Sequence, residues 1–221
     1  MRDVLFPKRS YSNGVDHDLW QLEFANSHKM SQYEFGTIPI VFEFTVLFKP
    51  KNCVIIGSGT GIIPRTIREA QIKSGINGTT CLIDKGEGWG SLPNEIHNEN
   101  SVFRQSYPEI EVIKSDSLSV GTQWINEKRS IDLLFIDGDH SYEGSKSDFN
   151  LYSQMVSSCG LIFMHDTNGF HGELNLTIRY IKSLNKYEVL NLVNYGNNDF
   201  GGGLAIIKKS LNRHHSKLLK K

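Results

Sequence analysis

The stretch of residues 131–167, IDLLFIDGDHSYEGSKSDFNLYSQMVSSCGLIFMHDT, constrains the fold more than any other part of the chain. It reads as a short apolar run, an acidic turn with a histidine, a segment of helical spacing, and a second apolar run closing on His165 and Asp166. Two buried strands joined by a helical crossover lie parallel, so their C-terminal ends share one edge of the sheet. Asp137, Asp139, His140, His165 and Asp166 are therefore expected at one edge, the edge where open α/β sheets bind ligands. A glycine-rich turn, VIIGSGTGI at residues 54–62, would supply a nucleotide cradle at the same edge.

The rest of the chain repeats the alternation. Apolar runs bounded by turn residues predict strands over 53–56, 79–83, 111–114, 131–136 and 161–164. Helices are expected over 31–48 with Pro39 near a bend or start, 63–72 with Pro64 in the first turn, 98–106, 124–127, 145–158 and 173–184. Ser145 and Asp148 have the spacing of a capping box. Runs at 188–193 and 203–207 look like a final hairpin. The expected fold is α/β: a Rossmann-like three-layer sandwich with a mostly parallel seven-stranded sheet, a C-terminal antiparallel hairpin, and helices on both faces. Domain organisation follows as an N-terminal helical extension or cap at 1–50, a core at 51–210 and a basic tail at 211–221.

A chain of 221 residues folded as one domain buries roughly 70% of its unfolded surface and needs no disulfides. Its three cysteines, Cys53, Cys81 and Cys159, lie in or beside apolar runs without CxxC spacing. They are read as reduced core residues, which points to the cytoplasm. The longest apolar stretch, 38–48, contains Glu43 and falls short of the ~20 residues of a membrane span. Residues 208–221 hold six Lys or Arg and no acid, while the net charge of the whole is zero, so the body carries −6. An acidic body argues against nucleic acid as the partner.

Glycines at 57, 59 and 61 let the backbone turn sharply and approach a ligand. Their G-x-G-x-G spacing departs from the dinucleotide pattern G-x-G-x-x-G, with Ile62 at the last position, and no Lys-Ser/Thr follows to grip phosphate. Asp84 ends the second strand, 23 residues after Gly61, where a carboxylate can accept from both ribose hydroxyls. Asp116 ends the third, where a side chain can read an adenine amino group. In order, VIIGSGTGI, CLIDKG, IKSDS, DLLFIDGDHSYEG and GLIFMHDT resemble the class I S-adenosylmethionine-dependent methyltransferases. The last two motifs resemble the small-molecule group of that family. The resemblance covers about residues 30–210. It implies that Gly57, Ser58, Gly59 and Gly61 form the loop along the methionine part of the cofactor, that Asp84 holds the ribose, and that Asp116 and Ser117 flank the adenine. Asp137 would lie near the methionine end and the acceptor. Ile55 stands where the family usually has an acid, a role that would pass to a residue such as Glu34 or Asp137.

Methyl transfer from a sulfonium needs an aligned acceptor and a destination for the acceptor's proton. His140, in the loop facing the acceptor, is a candidate base, with Asp137 the second catalytic residue. Asp137, His165 and Asp166 form a candidate set for a divalent cation, Mg²⁺ or Mn²⁺, the histidine favouring the softer ion. Trp89, Trp20 and Tyr33 are candidates for covering the pocket. Asn168 and His171 lie in the loop after the fifth strand, and the tail histidines His214 and His215 are expected to carry no chemistry. The expected activity is methyl transfer from S-adenosylmethionine to a small molecule, at an oxygen such as a sugar or phenolic hydroxyl. An NAD-dependent oxidoreductase and an inactive nucleotide-binding module are the alternatives. The partner is a small-molecule acceptor, and a homodimer is left open.

Overall fold

A computed structural model of the chain describes residues 37–57, 61–87, 96–169, 172–193 and 202–210. In chain order the elements are α1 (Thr37–Phe48), β1 (Asn52–Ile56), α2 (Ile62–Lys73), β2 (Thr79–Asp84), α3 (Val102–Ser106), β3 (Ile110–Lys114) and α4 (Ser117–Asn126). They continue with β4 (Ile131–Ile136), α5 (Tyr142–Tyr152), β5 (Val156–His165), α6 (Leu174–Ser183), β6 (Tyr187–Leu192) and β7 (Leu204–Lys209). The strands form one seven-stranded sheet in the order β3-β2-β1-β4-β5-β7-β6. β1 to β5 are parallel, and β7 runs antiparallel between β5 and β6. This is the expected Rossmann-like architecture, C-terminal hairpin included.

Alternate strand residues face opposite sides, and each side has its own core. Ile55, Leu82, Leu133, Phe135 and Phe163 pack with Ile38, Val41 and Phe42 of α1 and with Ile63 and Ile67 of α2. Val54, Ile83, Leu134, Ile162 and Ile207 pack with Trp124 of α4, Phe149 and Tyr152 of α5, and Ile178 and Ile181 of α6. The central strands are therefore apolar on both faces, as parallel strands under two helix layers must be.

Several boundaries differ from the sequence reading: α3 begins at Val102 rather than 98, α5 ends at Tyr152 rather than 158, and three starts shift for a local reason. α4 starts at Ser117 rather than near Trp124, because the Asp116 carboxylate accepts from the amides of Leu118 and Ser119 and caps it. α5 begins after Ser141, whose hydroxyl accepts from the Gly144 amide. Ser145 is already inside that helix and donates to the Ser141 carbonyl at 2.7 Å, so Ser145 and Asp148 form no capping box. β5 starts five residues early, at Val156, because Ile131 pairs with Val156 across an irregularity before Leu133 pairs with Leu161. The same early start puts Cys159 in the exposed part of β5, whereas Cys53 and Cys81 are buried. Among the described residues, no helix is long and apolar enough to cross a membrane.

Candidate active site

The strand order reverses between β1 and β4, so the helices leaving these two strands diverge to opposite faces and open a crevice at their C-terminal ends. Gly57 lies there. Its amide donates to the Ile83 carbonyl at 2.9 Å, and the Asp137 amide donates to the Ile56 carbonyl at 2.9 Å. A Cβ on Gly57 would sit 2.1 Å from the Asp137 carbonyl oxygen, and its φ is +88°. No other residue fits this close, left-handed crossing of two strand ends. Gly61 (φ 71°) is the N-cap of α2 and makes no side-chain cap. Ile55, in the place of the family's usual acid, is fully buried in the α1–α2 core. Ser58 and Gly59 lie outside the described residues.

Along the β2–β3 side of the crevice the carboxylates are held by main-chain amides. Asp84 accepts from the Gly86 amide at 2.6 Å on Oδ1, and the same oxygen lies 3.4 Å from Nε2 of His97. Asp116 Oδ1 accepts from Leu118 and Ser119 at 3.0 and 3.1 Å. Ser117 donates its hydroxyl to Asp148 Oδ1 at 2.6 Å, while the Tyr152 hydroxyl donates to the Ser117 carbonyl. Asp148 is 3% exposed. Burial pushes its carboxyl up to about 6, opposed by the Ser117 bond and reinforced by Asp116 and Asp139. Neither His97 nor Asp148 was singled out as a site residue by sequence. Asp148 shares the helical face of the inward Phe149 and Tyr152, an acid on an apolar stripe, which is the one sequence signal it offered.

At the β4–β5 side the carboxylates are held by imidazoles instead. Asp137 Oδ1 lies 3.3 Å from His165 Nδ1 and 3.4 Å from His140 Nε2. Asp166 Oδ2 lies 3.5 Å from His140 Nδ1, and its Oδ1 lies 3.5 Å from His165 Nδ1. Burial opposes charge on Asp137, but the two histidines outweigh it and hold its carboxyl well below the usual carboxylate range. Burial likewise opposes the imidazolium of His165, and Asp137 with Asp166 outweighs it, so that His165 is held well above an ordinary histidine. His165 also lies over Phe135, centroid to centroid 6.3 Å. Asp139 is turned to its own helix entry, accepting from the Ser141 amide at 2.8 Å.

The surrounding backbone is shaped to let these groups converge. Asp166 has φ +53°, a left-handed conformation rare outside glycine. A Cβ on Gly202 would lie 1.6 Å from Asp166 Oδ1, and one on Gly172 would lie 2.4 Å from the His140 carbonyl oxygen. The Glu173 amide donates to that same carbonyl at 2.8 Å, and Glu173 accepts in return from the Tyr142 amide at 3.0 Å. The loop after β5 is thereby tied down on the His140 turn. Thr167 extends the link, donating to Asn191 at 2.7 Å.

All the described site candidates gather on one edge. Asp137, His140 and Asp166 each present a ligand atom, and those atoms lie within 4.8 Å of one another. His165, expected among the ligands, lies beside this group, its Nδ1 3.3 Å from Asp137 Oδ1 and 3.5 Å from Asp166 Oδ1. Two carboxylate oxygens and one imidazole nitrogen make a donor set that fits Mn²⁺ or Fe²⁺ and, less well, Mg²⁺. Asn168 donates its amide to the Gly202 carbonyl at 3.0 Å, so its backbone supports the Asp166 turn. Trp20, Tyr33, Glu34, Trp89, His171, His214 and His215 lie outside the described residues.

Residues 54–167 match the sequence model of a family described as a methyltransferase domain. The match spans more than half of the 221 residues, and the chain belongs to that family. The uncharacterized protein R132 of Acanthamoeba polyphaga mimivirus is 40% identical over 73 residues, which are 32% of this chain and 29% of that protein. The chain thus matches less than a third of the length of that relative. Among solved structures, the O-methyltransferase from Bacillus cereus in complex with SAH superposes with a TM-score of 0.64 at 18% identity, covering 94% of each chain. The SAH-bound methyltransferase PaMTH1 of Podospora anserina superposes with a TM-score of 0.60 at 11% identity, covering 93% of this chain and all of that one. At such identities the shared property is the fold.

Proposed function

We propose that the protein transfers the methyl group of S-adenosylmethionine to a hydroxyl oxygen of a small molecule, such as a sugar or a phenol. The observation that carries this reading is the convergence of Asp137, His140 and Asp166 on the crevice that Gly57 opens. SAH, found in the two related folds, is S-adenosylmethionine without its methyl group, which supports the choice of cofactor. In this reading the loop from Gly57 to Gly61 runs along the methionine part, Asp84 accepts from the ribose, and Asp116 with Ser117 borders the adenine.

In the reaction an acceptor oxygen forms a bond to the methyl carbon as the carbon–sulfur bond breaks. The bonding pair returns to sulfur, and the positive charge of the sulfonium is lost. The hydroxyl proton goes to a base. Among the cluster, the His140 side chain is 30% exposed, against 21% for Asp137 and 11% for Asp166, so an incoming acceptor meets the imidazole first. To act as base the imidazole turns one nitrogen from its carboxylate to the acceptor, and once it has taken the proton the two carboxylates stabilise the imidazolium. His165, 3.3 and 3.5 Å from the same two carboxylates, would orient them.

A second role for the cluster rests on its ligand geometry. Asp137, His140 and Asp166 would hold a divalent ion, which when bound would lower the pKa of a hydroxyl beside it and orient that hydroxyl. His140 would then be a ligand and not the base. Calorimetric titration of the metal-stripped protein with S-adenosylmethionine, alone and with Mn²⁺ or Mg²⁺, tests both parts. Micromolar binding supports the cofactor reading, and absence of binding under every condition removes it. Turnover of a hydroxylated acceptor that survives chelation assigns His140 as base, and turnover that is lost and restored by Mn²⁺ assigns it as ligand.

A further inference from the structure

Asp84 is given the ribose in the reading above, and this inference rests on that reading. A carboxylate serves a diol well only if its plane is fixed, because both hydroxyls must reach it in line. In this chain one amide and one imidazole meet the same oxygen. The Gly86 amide donates to Asp84 Oδ1 at 2.6 Å, and His97 Nε2 lies 3.4 Å from that oxygen. Both side chains are largely enclosed, 9% exposed for His97 and 10% for Asp84. Facing a carboxylate that can only accept, the Nε2 atom carries the hydrogen.

The approach of His97 is prepared on both sides. Gly86 has φ +77°, and a Cβ there would lie 3.0 Å from Cδ2 of His97. A side chain at position 86 would crowd the imidazole and Lys114 Cε, which would lie 2.9 Å from that Cβ. On the other side the preceding residue, Ile96, is fully buried. Its Cδ1 would lie 3.3 Å from a Cβ on Gly61, the residue that opens α2. The Ile96–His97 pair therefore packs against Gly61 with one side chain and meets Asp84 with the next.

We infer that His97 is a positioning residue of the cofactor site, fixing the plane of the Asp84 carboxylate for the ribose hydroxyls. It acts through Asp84 and touches no reacting atom. Its loss is felt by a ligand that carries both ribose hydroxyls and not by one that lacks a hydroxyl. A purely structural role for His97 would weaken both ligands alike.

The test is calorimetric affinity for S-adenosylhomocysteine and for its 3′-deoxy analogue, in the wild type and in His97→Leu, His97→Gln, Asp84→Asn and the double variant His97→Leu/Asp84→Asn. The Gln amide can reach the place of Nε2 and donate, so it serves as the conservative replacement. His97→Leu is expected to weaken S-adenosylhomocysteine roughly tenfold and the deoxy analogue less than about twofold, because interacting neighbours are non-additive. His97→Gln should recover most of the loss, and the double variant should bind no worse than Asp84→Asn. Equal weakening of both ligands, full additivity in the double variant, or no effect of His97→Leu would each overturn the assignment. A wild type that does not bind S-adenosylhomocysteine overturns the cofactor reading and the role of His97 with it. A wild type that binds while His97→Leu is unchanged overturns the role of His97 alone.

Discussion

The two halves of the sheet's C-terminal edge hold their acids in different ways. At the β2 and β3 ends, Asp84 and Asp116 accept from amides two and three residues onward in their own turns, with His97 beside Asp84 on the same oxygen. At the β4 and β5 ends, Asp137 and Asp166 are fixed by His140 and His165, side chains from the turn after β4 and the last residue of β5. An amide cannot leave its carboxylate without unfolding the turn. An imidazole can give way to a proton, an ion or an acceptor. In the proposed function the first half would hold one ligand in one pose, and the second would change state during the reaction. The difference also decides which roles each half can take, since a carboxylate already spent on a helix cap is a poor metal ligand.

The largest effect expected from this comparison is on rate. His140→Ala should lower turnover by roughly 10²–10⁴-fold, the range of a positioned base. It should leave the dissociation constant of S-adenosylhomocysteine within about threefold, because Asp137, the partner it shares with the cofactor loop, keeps His165 against the same oxygen. Steady-state turnover and calorimetry on one preparation check both. A variant that loses cofactor affinity as much as rate would show that the two halves work as one unit.

Gly202→Ala separates the halves by sterics. Its Cβ would fall on Asp166 Oδ1, and Asp166 is already held at φ +53°. The carboxylate must move or the start of β7 must shift, at roughly 2–3 kcal/mol, the usual range for an overpacked site. Binding of Mn²⁺, read calorimetrically or by paramagnetic resonance, should fall sharply while cofactor affinity is kept. Retention of Mn²⁺ binding would mean that Asp166 is not among the ligands.

Asp148 belongs to neither kind, since the Ser117 hydroxyl of the preceding helix, α4, holds it. Its carboxyl stands at about 6, above the ordinary 3.8, chiefly because it is buried. A carboxyl raised on folding binds more protons in the native state, so its contribution to stability is present at low pH and is lost as pH rises from about 4 to about 6. Asp148→Asn removes this slope. The variant should gain on the wild type across that window, by about 2–3 kcal/mol once both carboxyls would be ionised. Urea midpoints at pH 4, 5, 6 and 7 measure it. A constant difference between the two proteins would show that the raised carboxyl is not Asp148.

The same division explains what the sequence made legible. Strand ends, the glycine turn and the order of acids follow from local signals: short continuous apolar runs, and turn residues after them. The fold and the placing of Gly57, Asp84, Asp116, Asp137 and Asp166 on one edge were readable for that reason. Where the hidden partner is remote, the reading stopped short. His97 meets Asp84 across 13 residues and Ser117 meets Asp148 across 31, with no pattern to announce either. His140 and His165 are separated by 25 positions, and which of them faces the open side depends on the Gly172 and Gly202 contacts. The sequence shows two histidines beside acids and not the way either ring turns. Helix starts were missed for a milder reason. Asp116 and Ser141 cap segments that begin polar, so the apolar spacing sets in a turn later than the helix does.

Asp116 supplies the smallest and most local test. It is the N-cap of α4, with two amides on one oxygen, and is also the proposed neighbour of the adenine. If capping is its whole role, Asp116→Ala costs about 1 kcal/mol of stability, and Asp116→Ser recovers most of it because a hydroxyl caps nearly as well. Cofactor affinity would then follow stability, with Ser close to wild type. If its carboxylate also meets the adenine amino group, Ser restores the melting temperature but not the affinity. Thermal unfolding and calorimetry on the three proteins separate the two, and the proposed adenine site predicts the second pattern. An amide-held acid can thus still serve the ligand with its remaining oxygen, which is the sense in which the β2–β3 half is both scaffold and binding surface.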